Sequence, residues 1–283
     1  MSERLDVRKT YKLLIKGAFV RSESGRSYEV TSAKGDFLAN VAQGSRKDVR
    51  DAVVAARAAQ ATWWGATAYN RGQVIYRLAE MAESRRDELV EHVALAEGLS
   101  AKVARTSVSA AIDRMVWYAG WTDKIAQVMG GTNPVAGPFF NFSVPVPSGV
   151  VAVLCDQESS LEGFVDAVLA PICVGNTVIA VASERRPTPA VLVGEMTATA
   201  DFPAGVLNVV TGLSDELAPT LASHEDIDGI DLGGASIETA SQLAVQSADS
   251  IKRVLRRDDE HDQPLRRLRA FVETSTVWHT IGQ

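Results

Sequence analysis

The residues able to do covalent or acid–base chemistry are few and scattered. Cys155 and Cys173 are the only two thiols in 283 residues. A nucleophilic cysteine works as its thiolate, which forms near neutral pH beside a cation or at a helix N-terminus. Cys155 closes the apolar run "GVVAVLC", at a strand end open to any crevice, but no histidine or lysine lies near it in sequence. Cys173 sits inside the apolar "LEGFVDAVLAPICV" and reads as a packed core thiol. His92, His224, His261 and His279 stand singly, so no metal-ligand spacing appears. Two isolated cysteines make no disulfide framework and fit a reducing compartment.

The bulk composition narrows the class. Hydrophobic residues make up 46% and charged residues 23%, as in a globular protein with a sizeable core. The formal net charge of −6 argues against nucleic acid or an anionic membrane as partner. No apolar run reaches the length of a membrane span. The opening "MSERLDVRKTYKLLIKGAF" lacks the apolar core of a signal peptide, so the expectation is a cytoplasmic protein.

The elements that would position these residues come in two halves. Residues 1–46 read as short strands separated by Gly and Ser. Three helices follow. The first is capped by Ser45. The second runs through "GQVIYRLAEMAESRRDELVEHVALAEG", with Ile75, Leu78, Ala82, Leu89, Val93 and Ala96 on one face and Gly98 as the stop. The third spans about 107–129. "PFFNFSVPVPSG" then alternates with a two-residue period between prolines, the mark of an edge or protruding strand in need of a partner.

From residue 149 the rhythm changes. "GVVAVL", "NTVIAVA", "GVLNVV" and "IDGIDL" are apolar strands alternating with helices, which predicts a parallel sheet covered on both faces. Ligands of such doubly wound sheets sit at strand C-termini, here the loops after Leu154, Ala182, Val210 and Leu232. "KRVLRRDDEHDQPLRRLR" reads as a solvated connection, and "AFVETSTVWHTIG" as a terminal strand seeking an edge.

Several stretches together carry a family likeness. "AAQATWWGATAYNRGQVIYRLAEMAESRRDELV", with Arg71, "GNTVIAVASERRPTPAVLVGEM", "FPAGVLNVVTG" and "LASHEDIDGIDLGGAS" occur in the order and spacing of the NAD(P)-dependent aldehyde dehydrogenase superfamily. The resemblance covers roughly residues 10–255. It implies an α/β fold: a doubly wound parallel sheet (a Rossmann-like cofactor domain) with N-terminal helices and a small β oligomerisation element. The implied division is an N-terminal helical part of the cofactor-type domain (1–132), an oligomerisation arm (133–148), a cofactor-type domain (149–255), and a connection with a C-terminal oligomerisation strand (256–283). "ETSTVWHTIG" resembles the family's C-terminal tail, which the resemblance implies pairs with the arm across subunits. The family's second, catalytic domain looks deleted, with the charged "RRDDEHDQPLRRLR" as a conjectural cover for the surface it leaves.

What the resemblance implies for chemistry is mostly loss. The nucleophilic cysteine has no counterpart. Where the family has its glutamate beside glycines the chain reads "VLRRDDEHD", and Glu260 does not inherit the role. Glu158 falls where the family has an oxyanion-binding asparagine, and an ionised carboxylate cannot donate there. In "VASE", matching the family's "KPSE", Val181 replaces the lysine. Glu184 retains two readings: acceptor from ribose hydroxyls, or cap of the helix opening near Pro187. Gly212, Gly234 and Ser236 are the remaining cofactor candidates, at turns where a pyrophosphate would approach backbone N–H groups. The expectation is therefore no catalytic residue, no metal and no cofactor, with NAD(P) as the open possibility. It points to a pseudoenzyme that forms a homo-oligomer or a hetero-oligomer with a full-length aldehyde dehydrogenase. The alternative is an NAD(P)-binding oxidoreductase acting on aldehydes, or a nucleotide binder reusing the old crevice.

Overall fold

The computed structural model describes residues 8–256 and 264–282. The lead-in forms five short strands: β1 (Thr10–Tyr11), β2 (Leu13–Ile15), β3 (Ala18–Val20), β4 (Ser27–Thr31) and β5 (Phe37–Ala42). Strands β1, β5 and β4 make a small sheet of their own, while β2 and β3 join the main sheet described below.

Helix α1 (Arg46–Gly65) starts at Ser45, as the sequence predicts. The Ser45 hydroxyl accepts from the Asp48 N–H, and the Asp48 carboxylate accepts from the Ser45 N–H at 2.8 Å. This reciprocal cap stabilises the helix by about 1 kcal/mol. The predicted second helix is two: α2 (Ala68–Ser84) and α3 (Arg86–Glu97). Arg85 leaves the helical region at the joint, and its guanidinium grips Glu88 and Glu195. The predicted apolar face survives the break, because all six of its residues are buried. Gly98 ends α3 in the left-handed conformation at φ +70°. The predicted third helix starts earlier, at the Ser100 cap, and divides into α4 (Ala101–Trp121) and α5 (Ile125–Met129).

The arm follows as β6 (Gly131–Asn133) and β7 (Phe139–Pro147). The alternating core is then β8 (Val150–Leu154), α6 (Glu162–Cys173), β9 (Thr177–Val181), α7 (Thr188–Thr197), β10 (Leu207–Val210), α8 (Ser214–Ser223), β11 (Gly229–Asp231), α9 (Ile237–Ala248) and β12 (Arg253–Leu255). The main sheet has the order β12-β11-β8-β9-β10-β2-β3. Strands β8 to β12 pair in parallel, and β2 adds antiparallel to β10. Residues of β8 alternate between two separate cores, Val151 and Val153 in one, Val150, Ala152 and Leu154 in the other. One core packs against α1, α8 and α9, the other against α6 and α7 backed by α2 to α4. Burial on both faces is why these strands read as unbroken apolar runs.

The end of the described chain differs from the solvated connection predicted from its charge. Part of the run is β12, residues 257–263 lie outside the described residues, and α10 (Pro264–Ala270) packs on α6 with Leu268 fully buried. Phe271 then lies against Gly229 so closely that a Cβ there would meet its ring at 2.5 Å. Strand β13 (Val272–Thr280) pairs antiparallel with β7 of the same chain, from Val272 opposite Pro147 to Thr280 opposite Phe139. The expected pairing across subunits is thus replaced by pairing within the chain, because the tail emerges beside the arm's base. There the Ser148 N–H donates to the Phe271 carbonyl at 3.1 Å.

Asn176, fully buried, holds that junction together. Its Oδ1 accepts from the Gly149 N–H at 2.8 Å, and its Nδ2 donates to the carbonyls of Pro171 and Phe271, each at 3.0 Å. One side chain therefore ties the start of β8, the end of α6 and the root of β13. Asn176→Ala is expected to lower stability by about 2 kcal/mol, since it strands the buried Gly149 N–H and takes one of two hydrogen bonds from each of the Pro171 and Phe271 carbonyls. Urea unfolding monitored by circular dichroism checks this, and a change within about 0.5 kcal/mol would contradict the assignment.

Candidate functional site

Strand β8 has β9 on one side and β11 on the other, and the chain reverses direction across it. The crevice outside the ends of β8 and β11 is therefore the topological switch point, where ligands of doubly wound sheets bind. The loops at its rim are laced by the chain's own side chains. Asp156 Oδ1 accepts from the N–H groups of Glu158 and Ser159 at 2.6 and 3.1 Å. Gln157 bridges from the β8 end to the β9 end: its Nε2 donates to the Cys155 carbonyl at 3.0 Å. Its Oε1 accepts from the Ser183 hydroxyl at 3.1 Å and the Glu184 N–H at 3.0 Å. Glu158 is exposed and pairs with Arg186 at 2.9 Å. Ser160 donates its N–H and hydroxyl to Glu97 at 2.7 and 2.6 Å, pinning the loop to the end of α3.

The four candidate cofactor residues each have a place in this frame. Glu184 Oε1 accepts from the Ser214 N–H, so its carboxylate sits on the N-terminus of α8, where the helix dipole favours a negative charge. The cap is thus given to α8, whereas α7 begins at Pro187 without a side-chain cap. Gly212, at φ +152°, belongs to the same corner; a Cβ there would meet Leu217 and the Gly44 backbone at 3.0 and 3.1 Å. The buried Tyr28 hydroxyl also faces it, pushed up by burial and then by the Glu184 charge. Gly234 and Ser236 lie on the other side of β8, after β11. A Cβ on Gly234 would stand 1.9 Å from the Cys155 carbonyl oxygen, and the Gly234 N–H donates to the Leu154 carbonyl at 2.9 Å. The Ser236 hydroxyl caps α9 by accepting from the Thr239 N–H at 3.1 Å. The structure brings Glu184 together with Gly212, and Gly234 with Ser236, with β8 between the two pairs.

Neither thiol is set up as a nucleophile. Cys155 is 2% exposed, and burial, then the carboxylates of Asp231 and Asp156, push its thiol far up. Burial does the same to Cys173, whose Sγ donates to the Tyr118 carbonyl at 3.2 Å. The core reading of Cys173 holds, and Cys155 shares it. Glu260 lies outside the described residues.

At the switch point a cavity of about 200 Å³ is lined by Asp156, Glu162, Asp166, Asp231 and Arg267. Arg267, reaching in from α10, meets the buried Asp231 at 2.8 Å. Asp166 accepts from Arg114 at 3.1 Å and from the Tyr118 hydroxyl at 3.0 Å. Gln157, Asp231 and Arg267 are absent from the sequence reading. The signal for the last two is nonetheless present, since an aspartate in the apolar strand "IDGIDL" demands a buried cation.

Fold and site geometry together define a doubly wound dinucleotide-type domain carrying a three-stranded arm. The sequence profile of the aldehyde dehydrogenase family matches residues 19–256, and the chain belongs to that family. It is 32% identical over 243 residues to the mitochondrial benzaldehyde dehydrogenase of Antirrhinum majus, covering 84% of this chain and 45% of that protein. It is 31% identical over 230 residues to aldehyde dehydrogenase 1A1 of Gallus gallus, covering 80% of this chain and 45% of that one. Among solved structures it resembles an NAD+ complex of the aldehyde dehydrogenase from Bacillus cereus, with a TM-score of 0.82 and 30% identity over 88% of this chain and 50% of that one. The chain thus spans about half the length of the relatives it matches. No described helix is long and apolar enough to cross a membrane.

Both buried thiols are expected to resist iodoacetamide at pH 8 in the folded protein, at rates at least about 100-fold below a free cysteine, and to react fully in urea. Rapid native labelling of Cys155, read by mass spectrometry, would contradict its burial.

Proposed function

We propose that this chain is a catalytically inactive member of the family that acts in the cytoplasm as an assembly subunit, joined to a full-length aldehyde dehydrogenase or to copies of itself. The observation that carries this reading is the arm. Strand β13 lies at the end of the β13-β7-β6 sheet, so one long backbone edge is open to a further strand. Aromatic side chains stand out beside it: Trp278 is 61% exposed, Phe140 45% and Phe139 37%. An interface built from such an edge is closed most simply by a two-fold axis. The missing chemistry supports the same reading, since both thiols are buried and Glu158 is engaged with Arg186.

A second reading, a nucleotide binder or an oxidoreductase acting on aldehydes, draws on the likeness to a structure solved with NAD+. The residues present do not fit that cofactor. The switch-point cavity is lined by four carboxylates, and its one arginine, Arg267, is already engaged with Asp231. The Gly234 N–H is already spent on Leu154, and Glu184 already occupies the start of α8.

One preparation tests both readings. Native mass spectrometry of the protein purified gently from its own cells is expected to show a complex larger than the monomer. A variant truncated before Thr274 should lose that mass. NAD(P)H fluorescence should stay unchanged on adding protein up to about 1 mM cofactor. A truncated chain that keeps its partners would remove the tail from assembly, and a saturable fluorescence change would favour the nucleotide reading.

A further inference from the structure

Arg71 is a buried cation that meets no anion among the described residues. It lies in the first turn of α2 and is 5% exposed. Its Nη1 donates to the carbonyls of Trp64 and Ala66 at 3.2 and 2.6 Å, so the guanidinium closes the C-terminus of α1. Its carbon centre stands 5.3 Å from the Trp64 ring centroid. No carboxylate among the described residues reaches it, and Nε is buried without any hydrogen-bond partner. Burial accordingly pulls its pKa down. A buried charge met only by carbonyls leaves much of its desolvation cost uncompensated. Nη2 makes no hydrogen bond among the described residues, so it is the one donor of the group left to meet a carboxylate.

That guanidinium lines a cavity of about 270 Å³ at the root of the arm. Apart from Thr122, whose hydroxyl is bonded to the Ala119 carbonyl, the inner walls are apolar: Trp64 and Val174 from the body, Ile125 from α5, Val144 and Val146 from β7, and Val272 from β13. Asp123 stands at the rim, well exposed beside Lys124. A single cation in an apolar chamber with an anionic rim selects one negative charge on an apolar body and disfavours dianions such as phosphate.

We propose that this cavity is a binding site for a small monocarboxylate with a short apolar body, held through Nη2 of Arg71. The inference is independent of the assembly reading, because it concerns a chamber within one chain. A bound acid would touch the helical body and both long arm strands together, fixing the arm on the body.

Isothermal titration with benzoate, and with benzamide as its neutral isostere, tests the site on the intact protein. Saturable one-to-one binding of benzoate is expected, with benzamide weaker by at least about tenfold. Arg71→Gln, which keeps a donor for the α1 carbonyls, should cost at least about tenfold in benzoate affinity. Ala126→Leu narrows the chamber from an exposed wall without touching the guanidinium and should cost as much, with circular dichroism reporting that both variants fold. Equal binding of benzamide, unchanged affinity in both folded variants, or no saturation below about 10 mM would overturn the proposal. So would binding of an acidic peptide where benzoate fails, which would assign Arg71 to a partner's side chain.

Discussion

The described part of the chain closes on itself at one junction, and the placing of its arm sheet on its main sheet depends on it. Asn176 receives the Gly149 N–H and donates to Pro171 and Phe271, while Phe271 packs against Gly229. These contacts fix where the arm leaves the body and where the tail returns to it. Only with both ends held side by side can β13 run the length of β7. A polar side chain this deeply buried is tolerated because every hydrogen-bonding atom of its amide is engaged toward backbone.

The same closure shapes the crevice at the switch point. Helix α10 arrives over α6 and sends Arg267 to Asp231 at the switch point. On the opposite side of β8, Gln157 and the Glu158–Arg186 pair tie two loops across the strand ends. Groups that would otherwise face a ligand are engaged with one another. On the function proposed above, fold and chemistry have separated, as they can when function resides in a few side chains placed on a common framework.

Much of the frame was legible in the sequence because it rests on local signals. The apolar runs of β8, β9, β10 and β11, the Ser45 cap and the Gly98 stop each follow from pattern and backbone preference. The joint at Arg85 was not legible, since a single amphipathic face crosses it unbroken. The tail's return within the chain was hidden too, because an edge strand declares only that it needs a partner. The candidate site was legible by position and not by role. Glu184 does not cap the helix near Pro187; the helix it caps starts some thirty residues later in sequence, beyond any local rule. Gly234 does permit a close approach, yet the group approached is the end of β8. Arg71 carried no sequence signal of its isolation, which arises only when α1, α5 and the arm surround it.

The central claim is that β13 pairs with the arm of its own chain. The hydroxyls of Ser143 and Thr276 face each other across that ladder at 3.5 Å. Replacing both with cysteine and oxidising the folded protein is the most direct test, read by mass on a non-reducing gel. The account predicts a cross-linked product of monomer mass that contains the closed loop. A covalent dimer as the main product would contradict it and place the tail on a neighbouring subunit's arm.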